Sequence, residues 1–83
     1  MVGISVVEAL VFITVEPNKI DKVGVDIKKF PNVKEVLAVT GEFDIIARIE
    51  AKDFSELSKT IKEQILSIPG VVKTATSVII EKY

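Results

Sequence analysis

The 83-residue chain contains no cysteine and no histidine, and these two absences remove most of the usual chemistry of active sites. Without cysteine there is no disulfide, no thiolate metal site and no cysteine nucleophile. Without histidine the chain lacks the commonest general base and the commonest metal ligand. The serines and threonines have no base to activate them, and the carboxylates are not spaced as metal ligands. We therefore expect no catalytic residue, no metal, no cofactor and no enzymatic activity.

A strong charge of either sign is also missing. The 11 basic and 12 acidic residues give a net charge of −1 and form no basic block, so no direct DNA binding is expected. The apolar N-terminal stretch MVGISVVEALVFITV has no basic start and is interrupted by Glu8. Its uninterrupted part is too short to cross a bilayer, which predicts a soluble cytoplasmic protein with no membrane partner.

Apolar residues, in contrast, make up 48% of the chain. A domain of this length buries only about 60–65% of the surface that its unfolded chain exposes, so it should need many polar positions. The apolar excess predicts a surface that another subunit covers. The length itself predicts that residues 1–83 form a single domain.

Hydrophobic spacing predicts four strands and two helices in the order βαββαβ. β-branched and aromatic runs indicate strands at residues 9–16, 33–40, 44–51 and 71–83. One helix is predicted after Asn18 as N-cap, and the second after the capping-box pair Asp53 and Glu56. This order is typical of an α+β, ferredoxin-like fold, in which a four-stranded antiparallel sheet carries both helices on one face.

Both faces of the first strand are apolar, although two helices cover only one side of a sheet. A bare apolar face is an association surface. We expect the residues Leu10, Phe12, Val78 and Ile80, or their neighbours on the opposite face, to lie between subunits. The chain is thus predicted to form an obligate dimer or a larger homo-oligomer.

The segment Thr40-Gly41-Glu42-Phe43-Asp44 joins the second and third strands and has two interpretations. As a turn alone, Gly41 supplies a positive φ and Asp44 accepts hydrogen bonds from nearby amides. As a binding loop, the amides of Gly41, Glu42 and Phe43 hold a carboxylate while Asp44 accepts an ammonium group. The second arrangement matches the charged end of a free amino acid.

The runs AVTGEFDIIARIEAKDFSEL and IPGVVKTATSVII resemble the effector-binding domain of the leucine- and asparagine-responsive (Lrp/AsnC) transcription regulators, the RAM domain. The resemblance extends from about residue 9 to residue 82. It rests on Thr40-Gly41-x-x-Asp44, on Asp53, and on Pro69-Gly70-Val71 before Thr74-x-Thr76-Ser77. It implies a ferredoxin-like domain that dimerises through its sheet, with dimers that often assemble into octamers of four dimers. It also implies that an amino acid binds between dimers.

Carried onto this chain, the resemblance makes a free amino acid the effector and gives seven candidate binding residues: Thr40, Gly41, Glu42, Asp44, Thr74, Thr76 and Ser77. The threonines also have a simpler interpretation as ordinary strand composition. Only eight residues precede the first predicted strand, too few for the helix-turn-helix domain that these regulators normally carry. We therefore expect a stand-alone sensor that acts through a partner, such as a full-length Lrp/AsnC regulator.

Two alternatives to an amino-acid sensor remain open. One is a purely structural oligomerisation partner without a ligand. The other is an ACT-like allosteric domain, which shares the element order but places glycine where Pro17-Asn18 stands here. An RNA-recognition domain would need more strand aromatics than Phe12, and a copper carrier would need a cysteine pair.

Overall fold

The computed structural model describes residues 6–83. Residues 1–5 lie outside this range. For these five residues, the predictions of a single domain and of an N-terminal stretch that does not cross a membrane therefore stay predictions. The described elements are β1 (Val7–Val15), a 3₁₀ turn (Pro17–Lys19), α1 (Ile20–Lys28), β2 (Val33–Ala38), β3 (Ile45–Ala51), α2 (Phe54–Lys59), a π-helical turn (Thr60–Ile65) and β4 (Val71–Val78). The predicted element order is confirmed.

The strands form one antiparallel sheet in the order β2-β3-β1-β4. Both helices pack on the same face and contribute the buried residues Val23, Ile27 and Leu57. Alternate residues of the two central strands are buried beneath them: Ala9, Val11, Ile13, Val15, Ile45, Ala47, Ile49 and Ala51. This arrangement confirms the ferredoxin-like α+β fold and leaves the other sheet face, called here the open face, without a covering layer.

The two helix starts differ from each other. The prediction that Asn18 caps the first helix is wrong, because Pro17 begins a 3₁₀ turn that includes Asn18, and the helix begins only at Ile20. The predicted capping box of the second helix is confirmed. Asp53 Oδ1 accepts a hydrogen bond from the Glu56 amide at 2.8 Å, and Glu56 Oε1 accepts one from the Lys52 amide at 2.9 Å.

The second helix widens to π geometry at Thr60, which the sequence did not predict. The Leu66 amide donates to the Ile61 carbonyl, five residues back, at 2.9 Å. Thr60 is buried, and its hydroxyl accepts a bond from Asn32 Nδ2 at 2.6 Å. The π turn thereby attaches the helix to the turn that precedes β2.

The strand ends also differ from the prediction. β1 begins at Val7, two residues earlier than expected, and β4 ends at Val78, five residues earlier. After β4 the Ile79 amide still donates to the Glu8 carbonyl at 2.8 Å. Beyond that bond, Ile80 is 92% exposed. Within residues 6–83, no helix combines the length and the apolar character needed to cross a membrane.

Candidate functional site

The loop between β2 and β3, residues 39–44, is closed at its base by backbone hydrogen bonds. The Val39 amide donates to the Asp44 carbonyl at 2.9 Å, and the Asp44 amide donates to the Ile13 carbonyl at 3.0 Å. Gly41 has a φ of 129°, so the predicted positive φ is confirmed. A Cβ at this position would meet no atom within 4 Å. Gly41 is therefore needed for the backbone conformation and not for space.

The tip of the loop presents backbone donors to its surroundings. The amides of Gly41, Glu42 and Phe43 have no hydrogen-bond partner among residues 6–83. Thr40, Gly41 and Glu42 are all exposed. Successive free amides in a turn attract an anion such as a carboxylate. This part of the binding-loop interpretation is compatible with the geometry.

Asp44 has a role inside the subunit. Its Oδ2 accepts a hydrogen bond from the Val15 amide at 2.8 Å. The β1–β4 pairing shifts register between Thr14 and Val15, so the Val15 backbone leaves the regular ladder where Asp44 reaches it. This contact agrees with the turn interpretation. The second oxygen, Oδ1, accepts no bond from the part of the chain that the structure describes, and it remains open to a further donor.

Thr14 is a polar residue beside Asp44 that the sequence analysis missed as a candidate. Ile13 pairs with Ile45, so Thr14 and Asp44, the next residues on the two strands, come side by side. Thr14 Oγ1 is buried and finds no hydrogen-bond partner within residues 6–83. Buried polar groups normally have one, so this hydroxyl is an exception beside Asp44. The sequence did contain a signal for this position, because strand alternation places Thr14 on the open face.

The hydroxyl residues of β4 do not join the loop within one subunit. Thr74 pairs with Ile13 and lies at the same end of the sheet as the loop, but β1 separates them by two strand spacings, about 10 Å. Thr76 lies two residues farther away. Ser77 pairs with Leu10 on the open face, whereas Thr74 and Thr76 point to the helix side. Within one subunit, the four loop candidates Thr40, Gly41, Glu42 and Asp44 thus lie together. The three β4 candidates lie apart from them.

The four residues predicted at the dimer interface do not share one surface. Leu10 and Phe12 lie on the open face. Val78 pairs with Ala9, which is buried beneath the helices, so its side chain points to the helix side. Ile80 follows the end of β4. Because side chains alternate along a strand, only Leu10 and Phe12 belong to the open face, and the interface itself stays a prediction.

The open face is aromatic near the loop. Phe43 packs on Phe12, with ring centroids 5.3 Å apart and an interplanar angle of 44°. The sequence indicated a role for the backbone amide of Phe43 only. Its side chain connects the loop directly to the open face.

The other end of the open face is charged and centred on Arg48, which the sequence analysis also missed. The guanidinium lies 3.1 to 3.6 Å from the carboxylates of Glu8, Glu35 and Glu50. A hydrogen bond from Lys82, together with the charges of Lys82 and Arg48, holds the pKa of the Glu8 carboxyl below its usual range. Within residues 6–83, no group of three or more acidic side chains is placed to hold a metal ion.

Residues 8–83 match the family described as the Lrp/AsnC ligand binding domain. Homocitrate synthase from Sulfurisphaera tokodaii is 38% identical over 77 residues, which cover 92% of this chain and 16% of that protein. The uncharacterized HTH-type transcriptional regulator PH0140 from Pyrococcus horikoshii is 35% identical over 71 residues, which cover 86% of this chain and 45% of the regulator. The chain therefore spans less than half the length of either relative.

Solved structures share the fold. TTHA0845 from Thermus thermophilus superimposes with a TM-score of 0.88 at 35% identity, covering 93% of this chain and 96% of that one. The transcriptional regulator NMB0573 from Neisseria meningitidis, solved as a complex with L-Met, gives a TM-score of 0.85 at 20% identity, covering 92% and 51%. The second likeness concerns the fold alone.

The family match covers nearly the whole chain and agrees with the resemblance carried by the loop and by the proline-glycine turn before β4. The family includes transcription regulators, so its known context is regulatory. This chain belongs to the Lrp/AsnC ligand-binding domain family.

Proposed function

We propose that residues 1–83 act as one amino-acid-sensing regulatory module, in which a second subunit completes the ligand site. The observation that carries this proposal is the loop itself, where the three amides that precede Asp44 in the chain find no hydrogen-bond partner within residues 6–83. The amides suit the carboxylate of a free amino acid, and Asp44 suits its ammonium group.

The immediate surroundings of Asp44 support the same ligand. Its Oδ1 accepts no hydrogen bond from residues 6–83, while Oδ2 accepts one from the Val15 amide. A hydrogen bond to a charged group contributes about 1.5–3 kcal/mol, which is enough to matter for a ligand of this size.

Phe43 provides a route from ligand to assembly. It belongs to the loop and packs on Phe12 of the open face, so a subunit that covers Phe12 would also contact the loop. We propose that the open faces of two subunits meet, that dimers can assemble further into octamers, and that a bound amino acid biases this association. The module would then act through its own oligomerisation or through a full-length Lrp/AsnC regulator.

The relatives support a sensor in preference to a catalyst. The matched segment occurs in PH0140, a transcription regulator, and in homocitrate synthase, where it makes up 16% of the chain. Because these two proteins differ in activity, the segment that they share is the ligand-binding unit and not the part that carries out a reaction. In NMB0573 the same fold belongs to a protein solved with L-Met, an amino acid.

Calorimetric titration of the chain with each of the twenty amino acids tests the proposal. We expect saturable binding of at least one of them. The competing function is a structural oligomerisation partner without a ligand, and the Asp44–Val15 hydrogen bond favours it because it gives Asp44 a purely structural task. A folded, oligomeric chain that binds none of the twenty at millimolar concentration would establish that alternative.

A further inference from the structure

A second surface lies on the helix side of the sheet, where α1 runs beside the edge strand β2. A groove of about 560 Å³ separates the two elements. The residues that matter here are Asp21, Gly24, Val25, Lys28, Val36 and Ala38, all of which line it. Neither the loop tip nor the open face contributes to this surface.

The last three residues of β2, Val36-Leu37-Ala38, carry no charge. β2 pairs with β3 only, so its outer backbone groups have no strand partner among residues 6–83. Edge strands of soluble proteins are normally protected by charges, proline or a covering element. Here the charged residues Lys34 and Glu35 stand at one end, and the uncharged Val36 and Ala38 line the groove.

The groove side of α1 carries a charge at each end. Asp21, Gly24, Val25 and Lys28 follow the spacing i, i+3, i+4, i+7 of one helical face. Val25, in the middle, is 59% exposed. Neither Asp21 nor Lys28 forms an ion pair with any residue in the range 6–83. The helix therefore presents an unpaired acid and an unpaired base two turns apart.

Gly24 is not required by packing within the subunit. Glycine is a poorer helix former than alanine. A Cβ on Gly24 would meet only Ile45 Cδ1, at the ordinary contact distance of 3.9 Å. Gly24 leaves the middle of this helix face without a side chain, so another molecule can approach the helix backbone there.

We propose that this α1–β2 surface pairs with the same surface of a second copy of the chain about a two-fold axis. The two β2 strands would run antiparallel and continue the sheet, and the two α1 helices would lie antiparallel above them. The midpoint between Asp21 and Lys28 falls between Gly24 and Val25. An axis through this point sets Asp21 of each copy opposite Lys28 of the other.

The symmetric charges favour a second copy over an extended peptide from another protein. A peptide strand would use the β2 edge, but it would not need an acid and a base placed equally far from Gly24 and Val25. The pairing is independent of the proposed amino-acid site and of the open face. A chain with two different self-complementary surfaces forms assemblies larger than a dimer.

Charge reversal tests the pairing. Asp21→Lys and Lys28→Asp each place like charges opposite one another at two symmetric positions, and we expect each to weaken association about threefold to tenfold in sedimentation velocity. The double variant Asp21→Lys/Lys28→Asp restores opposite charges and should associate like the wild type. A double variant as weak as the single variants would overturn the proposal.

Cysteine crosslinking gives a second, independent readout, because the natural chain contains no cysteine. Val25→Cys lies next to the proposed axis and should form a disulfide dimer under mild oxidation. Ser58→Cys, exposed on α2, is the matched control and should stay largely uncrosslinked. Adding Gly24→Leu to Val25→Cys should suppress the crosslink. If Val25→Cys crosslinks no faster than Ser58→Cys, the copies do not meet here and an extended peptide becomes the better occupant.

Discussion

Gly41 and Gly70 both have φ angles in the left-handed region, 129° and 104°, but their surroundings differ. A Cβ on Gly41 would point into open space, whereas a Cβ on Gly70 would lie 2.9 Å from Lys19 Cβ and 3.2 Å from Val23 Cγ2. Backbone conformation alone requires glycine at position 41. At position 70 the packing of the turn against α1 requires it as well.

Alanine substitutions should separate these two requirements. Gly41→Ala should lower the free energy of unfolding by about 1 kcal/mol, because only the φ angle is strained. Gly70→Ala should lower it by about 2–4 kcal/mol, because a steric overlap is added to the same strain. Urea unfolding of both variants measures the difference. If the two variants lose the same free energy of unfolding, the contact between residue 70 and Lys19 is relieved without cost.

At the scale of elements, the segment after β4 depends on Glu8. The Glu8 carbonyl accepts the Ile79 amide, and the Glu8 carboxylate binds Lys82 Nζ at 2.6 Å. Beyond these contacts, Ile80 and Tyr83 are exposed. The Ile79 bond uses the Glu8 backbone and does not depend on charge, so a change in the charge of the carboxylate should alter how residues 80–83 are held near β1.

Acid should release this segment. Lys82 and Arg48 lower the pKa of Glu8 in the folded chain, so folding favours the ionised carboxylate. Its stabilising contribution is present above the pKa of Glu8 in the unfolded chain and is lost as the pH falls through the lowered, folded-state pKa. Tyr83 is the single tyrosine and tryptophan is absent, so fluorescence anisotropy of Tyr83 reports on the segment.

We expect the fluorescence anisotropy of the wild type to decrease when the pH falls below the usual pKa range of glutamate. Glu8→Gln, which cannot ionise, should already show the low value at neutral pH and no acid transition. Ser58→Gln, at an exposed site on α2, serves as the control for an added amide. Identical pH profiles for the wild type and Glu8→Gln would rule out Glu8 as the anchor.

The order of elements could be read from the sequence because apolar periodicity and the Asp53–Glu56 capping box are local signals. The failures came from one local turn and one long-range contact. Pro17 imposed a 3₁₀ turn that displaced the Asn18 cap, and Thr60 lies in a π turn whose hydroxyl pairs with Asn32, 28 residues away. Neither feature has a periodic pattern that a sequence could display.

Part of the candidate site could be predicted because it also depends on local sequence. The positive φ of Gly41 follows from loop composition, and the structure confirms it. The contact between Asp44 and the Val15 amide depends on a register shift in the pairing of β1 with β4, which no local pattern encodes. Thr76 was a candidate through the family resemblance alone, and within one subunit β1 lies between its strand and β3.

At the scale of the whole molecule, two different surfaces are available for association. The open face combines the Phe12–Phe43 pair with the charged cluster around Arg48. The α1–β2 surface lies at an edge of the sheet and carries separate charges. Variants on one surface should therefore leave the other unaffected.

Phe12→Asp should disrupt association through the open face. An unpaired charge inside an apolar interface costs several kcal/mol, so sedimentation should show a smaller species. Ser58→Asp places the same charge at an exposed position of α2, on the opposite side of the sheet from the open face, and should leave the mass unchanged. A wild-type chain that sediments as a monomer at micromolar concentration would exclude association through either surface.

The most direct test of the central claim compares the calorimetric titration of wild type and Asp44→Asn with an amino acid that the wild type binds. Asparagine keeps an oxygen that can accept the Val15 amide but removes the charge, so the unliganded variant should melt close to the wild type. Loss of a charged hydrogen bond of about 1.5–3 kcal/mol should raise the Kd roughly tenfold to a hundredfold. Asp44→Ala, the control, should lose binding and also about 1–2 kcal/mol of stability. If Asp44→Asn binds the same amino acid as tightly as the wild type, the carboxylate only supports β1 and the ligand site lies elsewhere.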